Sequence, residues 1–279
     1  MTMASRRTQA AVEARRERIR EELFAHGDVR SEDLAAMLGV STMTILRDLD
    51  TLAEDGWLRR TPGGATVERS ALFELNVRSR MRENHAAKRA IGQAAAELVR
   101  PGDAVLLDDS TTALATVDAL KALTPLTVVT NFRKVIDALA GTTGVDLVAL
   151  GGRYHPPYDS FGGLATVEAL RGLRVDLAFF SALAVVGGEC FHPVPEAVAV
   201  KRAMIEAAQR SVLLVDHSKL RRTALYRLCS LDEVDVVIVD DGIGADELAA
   251  LDALGPEIIV APTSREVARP GQPANATGM

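Results

Sequence analysis

Val40-Ser41-Thr42-Met43-Thr44-Ile45-Leu46-Arg47-Asp48-Leu49 has a small hydroxylated residue, Ser41, in its second place and then sets Ile45 and Leu49 four apart, with Leu52 three further on. Ser41 reads as a helix cap, and the three apolar residues form one inward stripe at i, i+4, i+7. At 100° per residue, Arg47 falls about 200° from Ile45 and Met43 about 160°, so both point away from that stripe. Thr44 and Leu46 lie on its flanks. Upstream, Ser31 reads as the cap of a shorter helix with Glu32 and Asp33 in its first turn and Leu34 and Leu38 inward, and Gly39-Val40 is a tight break. Two helices joined by a glycine-containing turn make a helix-turn-helix, whose second helix presents its outward face to a major groove.

Working outward, Val12, Ile19 and Leu23 share the face of a preceding helix, which Gly27-Asp28 stops. Downstream, Trp57-Leu58-Arg59-Arg60 reads as a strand, Pro62-Gly63-Gly64 as a turn and Ala65-Thr66-Val67 as the return, which adds a wing. The expected DNA-contacting residues are Ser41, Thr42, Met43, Thr44 and Arg47 on the helix and Arg59, Arg60, Gly63 and Gly64 on the wing. Arg15, Arg16, Arg18 and Arg20 supply further positioning charge. That charge has to be local. The chain carries 32 Lys and Arg against 38 Asp and Glu, a net −6, so it is no protein that coats nucleic acid through bulk basicity.

After about Pro101, apolar runs at 104–107, 126–129, 145–150, 177–180, 212–215 and 234–239 alternate with helical stretches, the pattern of a largely parallel sheet covered by helices. Ligands of such sheets bind beyond the carboxyl ends of the strands. Those ends carry Asp108, Ser110, Thr111 and Thr112, then Thr130 and Asn131, then Gly151 and Gly152, then Asp216 and Lys219. Hydroxyls and N–H groups at 110–112 suit a phosphate with Lys219 as its cation, and Asp108 suits sugar hydroxyls. Each has a plainer alternative, since Ser110 can simply cap a helix and Asp216 can simply stabilise a turn.

The 40–49 stretch, with Gly56-Trp57-Leu58-Arg59-Arg60 and Gly63-Gly64-Ala65, resembles the signature of the DeoR-type bacterial transcriptional regulators. This chain departs from it at Leu46, where a second Arg is usual, and at Pro62, where His is common. The second half is similar to the sensor domain of the same family, whose fold is similar to ribose-5-phosphate isomerase and the CoA transferases. That resemblance implies effector-site or site-shaping roles for Asp108, Ser110, Thr111, Thr112, Thr130, Asn131, Gly151, Gly152, Lys201, Asp216 and Lys219, and a phosphorylated sugar as effector. Asp109 stands where the family commonly has Gly.

The expected organisation is a winged helix-turn-helix domain over 1–70, a connecting helical arm over 71–100 with Ala87, Ile91, Ala94 and Leu98 on one face, an α/β sensor domain over 101–263 and a frayed tail over 264–279. The longest nearly apolar stretch, 175–186, is too short to span a bilayer, so a soluble cytoplasmic protein is expected. Cys190 and Cys229 are expected as buried free thiols, and neither a metal nor a cofactor is expected. His85, His155, His192 and His217 are scattered, and no Ser-His-Asp or Cys-His arrangement supports an enzyme. The expected partners are operator DNA, a phosphorylated sugar or related metabolite, and further copies of the chain in a dimer or tetramer, since one recognition helix reads only a few base pairs.

Overall fold

The computed structural model describes residues 12, 14–16, 18–19, 22–23, 26–54, 58–67 and 77–263 and divides the chain into two units, Met1–Ser79 and Arg80–Met279. Arg20, Gly56, Trp57 and the expected tail lie outside the described residues.

In the first unit, helix α1 (Ser31–Leu38) ends on Gly39, whose φ of +65° favours glycine, and helix α2 (Thr42–Glu54) follows. Ser41 Oγ accepts the Thr44 N–H at 3.2 Å and so caps α2. Ile45, Leu49 and Leu52 are fully buried and pack with Ile19, Leu23, Leu34 and Leu58. The hairpin pairs β2 (Leu58–Thr61) with β3 (Gly64–Val67), and its turn is Pro62-Gly63 alone.

Two expectations fail here for one reason. Gly27-Asp28 leads into a third strand, β1 (Asp28–Arg30), antiparallel to β3 in the order β1-β3-β2. Three residues are too few for a period-2 signal. Because the strand runs up to Arg30, Ser31 is the first helical residue rather than a cap, and its N–H donates to Gly63 O at 2.9 Å. Gly64 is likewise no contact residue: it is buried, and a Cβ there would lie 1.9 Å from Val29 O of β1. It is glycine so that β1 can pair.

The second unit is built on seven parallel strands in the order β15-β14-β12-β9-β4-β5-β6. These are β4 (Ala104–Leu107), β5 (Leu126–Thr130), β6 (Val145–Ala149), β9 (Val175–Phe180), β12 (Ala208–Val215), β14 (Val236–Asp240) and β15 (Glu257–Ala261). β14 is buried at all five positions, as expected for a strand covered on both faces. The chain winds outward from β4 to β6 and then the other way from β9 to β15, so the topological switch point lies between β4 and β9. Short antiparallel strands fill the connections: β7 (Arg153–His155) with β8 (Ser160–Gly162), and β10 (Ala184–Val186), β11 (Glu189–His192) and β13 (Tyr226–Ser230).

Helix α3 (Val77–Arg82) contains the division at Ser79 and Arg80. Helix α4 (His85–Ala96) was expected as a connecting arm; it packs instead on β12, β14 and β15, with Ala87, Ile91 and Ala95 buried, and belongs to the second unit. Strand alternation separates two sheet faces. Leu106 and Ala178 pack with Val200, Ala203 and Met204 of α9 (Pro195–Ala207), and Leu213 and Val215 with Val198 of the same helix. Cys190 and Cys229 are buried and free, and stand directly opposite each other on β11 and β13.

Candidate functional site

On the first unit the outward face of α2 is as the 100° count predicts. Met43 is 59% exposed, Ser41, Thr42 and Arg47 are exposed, and Thr44 is half-buried with its hydroxyl 2.9 Å from that of Ser41. Arg59 is exposed on β2, and Gly63 is exposed at the wing tip with φ +83°. Three of the expected phosphate-directed arginines are engaged within the unit. Arg15 and Arg16 donate to the buried Asp48 at 2.6 and 3.0 Å, fastening the N-terminal helical residues to α2. Arg60 donates to Leu46 O and pairs with Asp50, each at 3.3 Å, which fixes β2 to the same helix.

On the second unit the predicted residues fall into two groups on opposite faces. Asp108 follows Leu106 by two residues and therefore projects toward α9, where it meets Lys201. Its carboxylate also accepts the N–H of Ser110 at 2.9 Å and of Ser181 at 2.8 Å, bridging the switch point, and it is fully buried. Asp108 is thus a structural hub rather than a grip for sugar hydroxyls. Lys201, buried between Asp108 and Asp109 (3.1 Å), keeps its proton: burial works against the ammonium, but the two carboxylates outweigh it. Burial alone would raise the Asp109 carboxyl; Lys201 and then Arg80 hold it well below the usual carboxylate range. His192 beside them is kept neutral, its pKa lowered to about 3 by burial and by Lys201.

Asp216 follows Leu214, on the face opposite Leu213 and Val215, and meets α4 instead. It accepts from Asn84 Nδ2 at 2.7 Å and from Ser218, and Lys219 helps hold it ionised against its burial. Lys88 donates to Arg80 O and to Glu83 O (2.8 Å), and its pKa is lowered to about 8, first by burial and then by Lys219. Lys219 is buried, and among the described residues its ammonium makes no hydrogen bond or ion pair; burial and then Arg222 lower its pKa. Arg80 Nε is also buried without a partner. Three cationic groups therefore converge with N–H bonds unused.

The remaining predicted residues are mostly structural. Ser110 Oγ caps helix α5 (Thr111–Leu114), and Thr111 Oγ1 donates to Arg80 O, so neither hydroxyl is held for a phosphate. Thr112 is buried in the same short helix. Thr130 Oγ1 donates to Leu107 O and accepts the Phe132 N–H. Gly151 O accepts from Thr166, and a Cβ at Gly152 would lie 2.2 Å from Thr166 Oγ1, so this pair shapes the β6–β7 connection. Asn131 lines a cavity together with Asp109, Tyr158, Ser160 and Lys201. Sequence reasoning missed Arg80, Asn84 and Lys88, because it read their segment as an arm. A basic residue at 88 on the otherwise apolar 87–91 face was the available signal.

Comparison with known proteins agrees over most of the chain. A family model described as DeoR-like helix-turn-helix domain matches residues 15–71, and one described as DeoR C terminal sensor domain matches 83–241. The putative aga operon transcriptional repressor of Escherichia coli O157:H7 is 35% identical, over 88% of this chain and 93% of its own length. The HTH-type transcriptional repressor GlcR of Bacillus subtilis is 32% identical over 85% and 92%, and the glycerol-3-phosphate regulon repressor of Haemophilus influenzae 32% over 77% and 84%. Among solved structures, ribose 5-phosphate isomerase A of Methanocaldococcus jannaschii is similar over 50% of this chain and 55% of its own, with a TM-score of 0.37 and 20% identity.

Proposed function

The chain belongs to the DeoR family of DNA-binding transcriptional regulators, and on that premise we propose that it represses genes of carbohydrate metabolism under the control of a phosphorylated sugar. It is a regulator rather than an enzyme. The relatives' names, with their aga operon and glycerol-3-phosphate regulon, support the carbohydrate setting. One observation carries the effector chemistry: the buried side chain of Lys219, only partly offset by Asp216 and Glu83, stands beside Lys88 and the unpartnered Arg80 Nε. Gathering like charges out of water is unfavourable, and a phosphate dianion removes that cost by pairing them. The effector phosphate is therefore assigned to this cluster rather than to the hydroxyls of 110–112.

On the first unit, Met43, Thr44 and Arg47 read base edges while Arg59 meets the backbone. The chain acts in the cytoplasm as a homodimer or tetramer, so that two recognition helices reach half-sites about 34 Å apart. No helix among the described residues is long and apolar enough to cross a membrane. A mobility-shift titration of the full chain on upstream fragments from its own genome tests the reading. Specific retention that a sugar phosphate alters, with Lys219→Met needing at least about tenfold more of that sugar phosphate, is the expected result. Equal affinity for random duplex, or an undiminished response in Lys219→Met, overturns it.

A further inference from the structure

We propose that Arg80 and Thr111 pass the state of the phosphate-directed cluster to the DNA-binding unit, by setting how the last turn of α3 is held. The proposal rests on the phosphate reading above and adds a route of regulation to it. Its basis is that the cluster and the point where the chain enters the second unit share atoms. Helix α3 contains the division at Ser79 and Arg80, so residue 80 is the first of the second unit to follow the chain arriving from the first. A helix of six residues is too short to persist by propensity, and its residues Met81 and Arg82 are exposed. The turn therefore depends on polar ties such as those of Arg80. Its carbonyl accepts from Lys88 Nζ and, at 3.3 Å, from Thr111 Oγ1, while its guanidinium donates through Nη1 and Nη2 to Asp109 O, each at 3.4 Å.

Two of these donors, Lys88 and Arg80, are also cations of the cluster, so whatever binds there acts on the tie. The ties differ in strength. Asn84, which separates α3 from α4, takes a left-handed φ of +49° that asparagine tolerates, and its Nδ2 donates to Asp216 at 2.7 Å and to Ser218 Oγ at 3.1 Å. That end of the connection is firmly anchored. One turn earlier the Arg80 guanidinium spans 3.4 Å to a neutral carbonyl, at the weak limit of a hydrogen bond, with its Nε buried and unpartnered. A phosphate offers it charge-assisted bonds of about 2.7–2.9 Å. The guanidinium then leaves Asp109 O for the phosphate and draws the last turn of α3 about the Asn84 anchor. Lys88 can join it without releasing Arg80 O, because an ammonium has three N–H bonds and Arg80 O and Glu83 O take two of them. The Thr111 hydroxyl, at a strand end where a ligand role was expected, is bound to the Arg80 carbonyl instead. This tie can be removed without deleting a charge from the cluster.

Linkage separates grip from transmission. The factor by which a saturating ligand changes operator affinity measures the coupling, whereas ligand affinity measures the hold on the phosphate. Operator dissociation constants of the full chain, on an upstream fragment it retains, are measured with and without saturating ribose 5-phosphate, glucose 6-phosphate or glycerol 3-phosphate, and ligand affinity by calorimetry. At least one of these probes is expected to shift the operator Kd of the unsubstituted protein by about fivefold or more. In Thr111→Val the ligand Kd and the ligand-free operator Kd are expected to stay within about twofold, while the shift at saturation falls below about twofold. Arg80→Met is expected to weaken the ligand several-fold and, once saturated, to show no shift. A merely structural role would leave the shift at saturation intact in both variants, and either one that folds decides the matter. An undiminished shift at saturation, or binding without a shift in the unsubstituted protein, overturns the proposal and leaves the phosphate site standing. Failure of every probe to bind overturns both.

Discussion

Lys201 and Lys219 are both buried at the carboxyl end of one sheet, a strand or two apart, and their surroundings are opposite. Lys201 lies between Asp108 and Asp109, which outweigh its desolvation and keep it charged. Lys219 has no hydrogen-bonded or ion-paired partner among the described residues, and its neighbours Lys88, Arg80 and Arg222 are cationic. Asp216 and Glu83 offset them only in part. A completed charge pair holds the two halves of the sheet together at the switch point, whereas an incomplete one is a place where something else can bind. Burial of a lysine is therefore uninformative until its partners are counted.

The sharpest way to break this comparison is to replace each lysine with an apolar side chain of similar length. Lys201→Met strands two carboxylates in the interior, and the expected loss is about 3–5 kcal/mol, enough to lower the melting temperature of a unit this size by more than about 6 °C. Lys219→Met removes a charge that nothing offsets in full, so the ligand-free chain is expected to stay within about 1 kcal/mol of the starting protein or to gain stability. Thermal melts of both variants without ligand make the measurement. Equal losses would show that Lys219 is as fully paired as Lys201.

A smaller effect is expected at Asp109, the second partner of Lys201. Asp109→Asn retains a hydrogen-bonding side chain beside Ser160 but gives up the charge, for an expected loss of about 1.5–3 kcal/mol at neutral pH. The carboxyl is held below its ordinary range in the folded state, so its contribution is complete above the unfolded pKa and is lost as the pH falls through the folded one. Denaturant midpoints compared between the two proteins should therefore converge on acidification below the ordinary carboxylate range. A gap that persists there would mean that Asp109 acts through packing rather than charge.

The two lysines also differ in how legible they were. Lys219 was readable, since a cation just past an apolar run marks a strand end and strand ends carry sites. Lys201 was not: it sits mid-helix at a spacing that usually faces solvent, and only its three-dimensional position opposite β4 reveals its partners. The winged fold was legible in the Ile45, Leu49 and Leu52 stripe and the glycine turn, because local periodicity decides both. β1 escaped because three residues carry no period, and with it went the true role of Gly64, which is set by a backbone 35 residues away in sequence. Ser110 and Thr130 failed as ligand residues for a related reason. Hydroxyls at strand ends serve the backbone as readily as a ligand, and sequence does not distinguish the two.

The smallest of these effects is a pH dependence that only the incomplete cluster should show. Lys88 titrates near 8 in the ligand-free protein because burial and Lys219 disfavour its ammonium. A bound phosphate dianion favours the charged form, so binding above that pH requires uptake of a proton. Affinity for a sugar phosphate, itself fully ionised above pH 7, is then expected to fall about tenfold between pH 7 and pH 9. In Lys88→Arg, whose guanidinium keeps its charge throughout, the profile should flatten. Binding measured by calorimetry in buffers of differing ionisation enthalpy reads the proton uptake directly. A flat profile in the unsubstituted protein would place the phosphate away from Lys88.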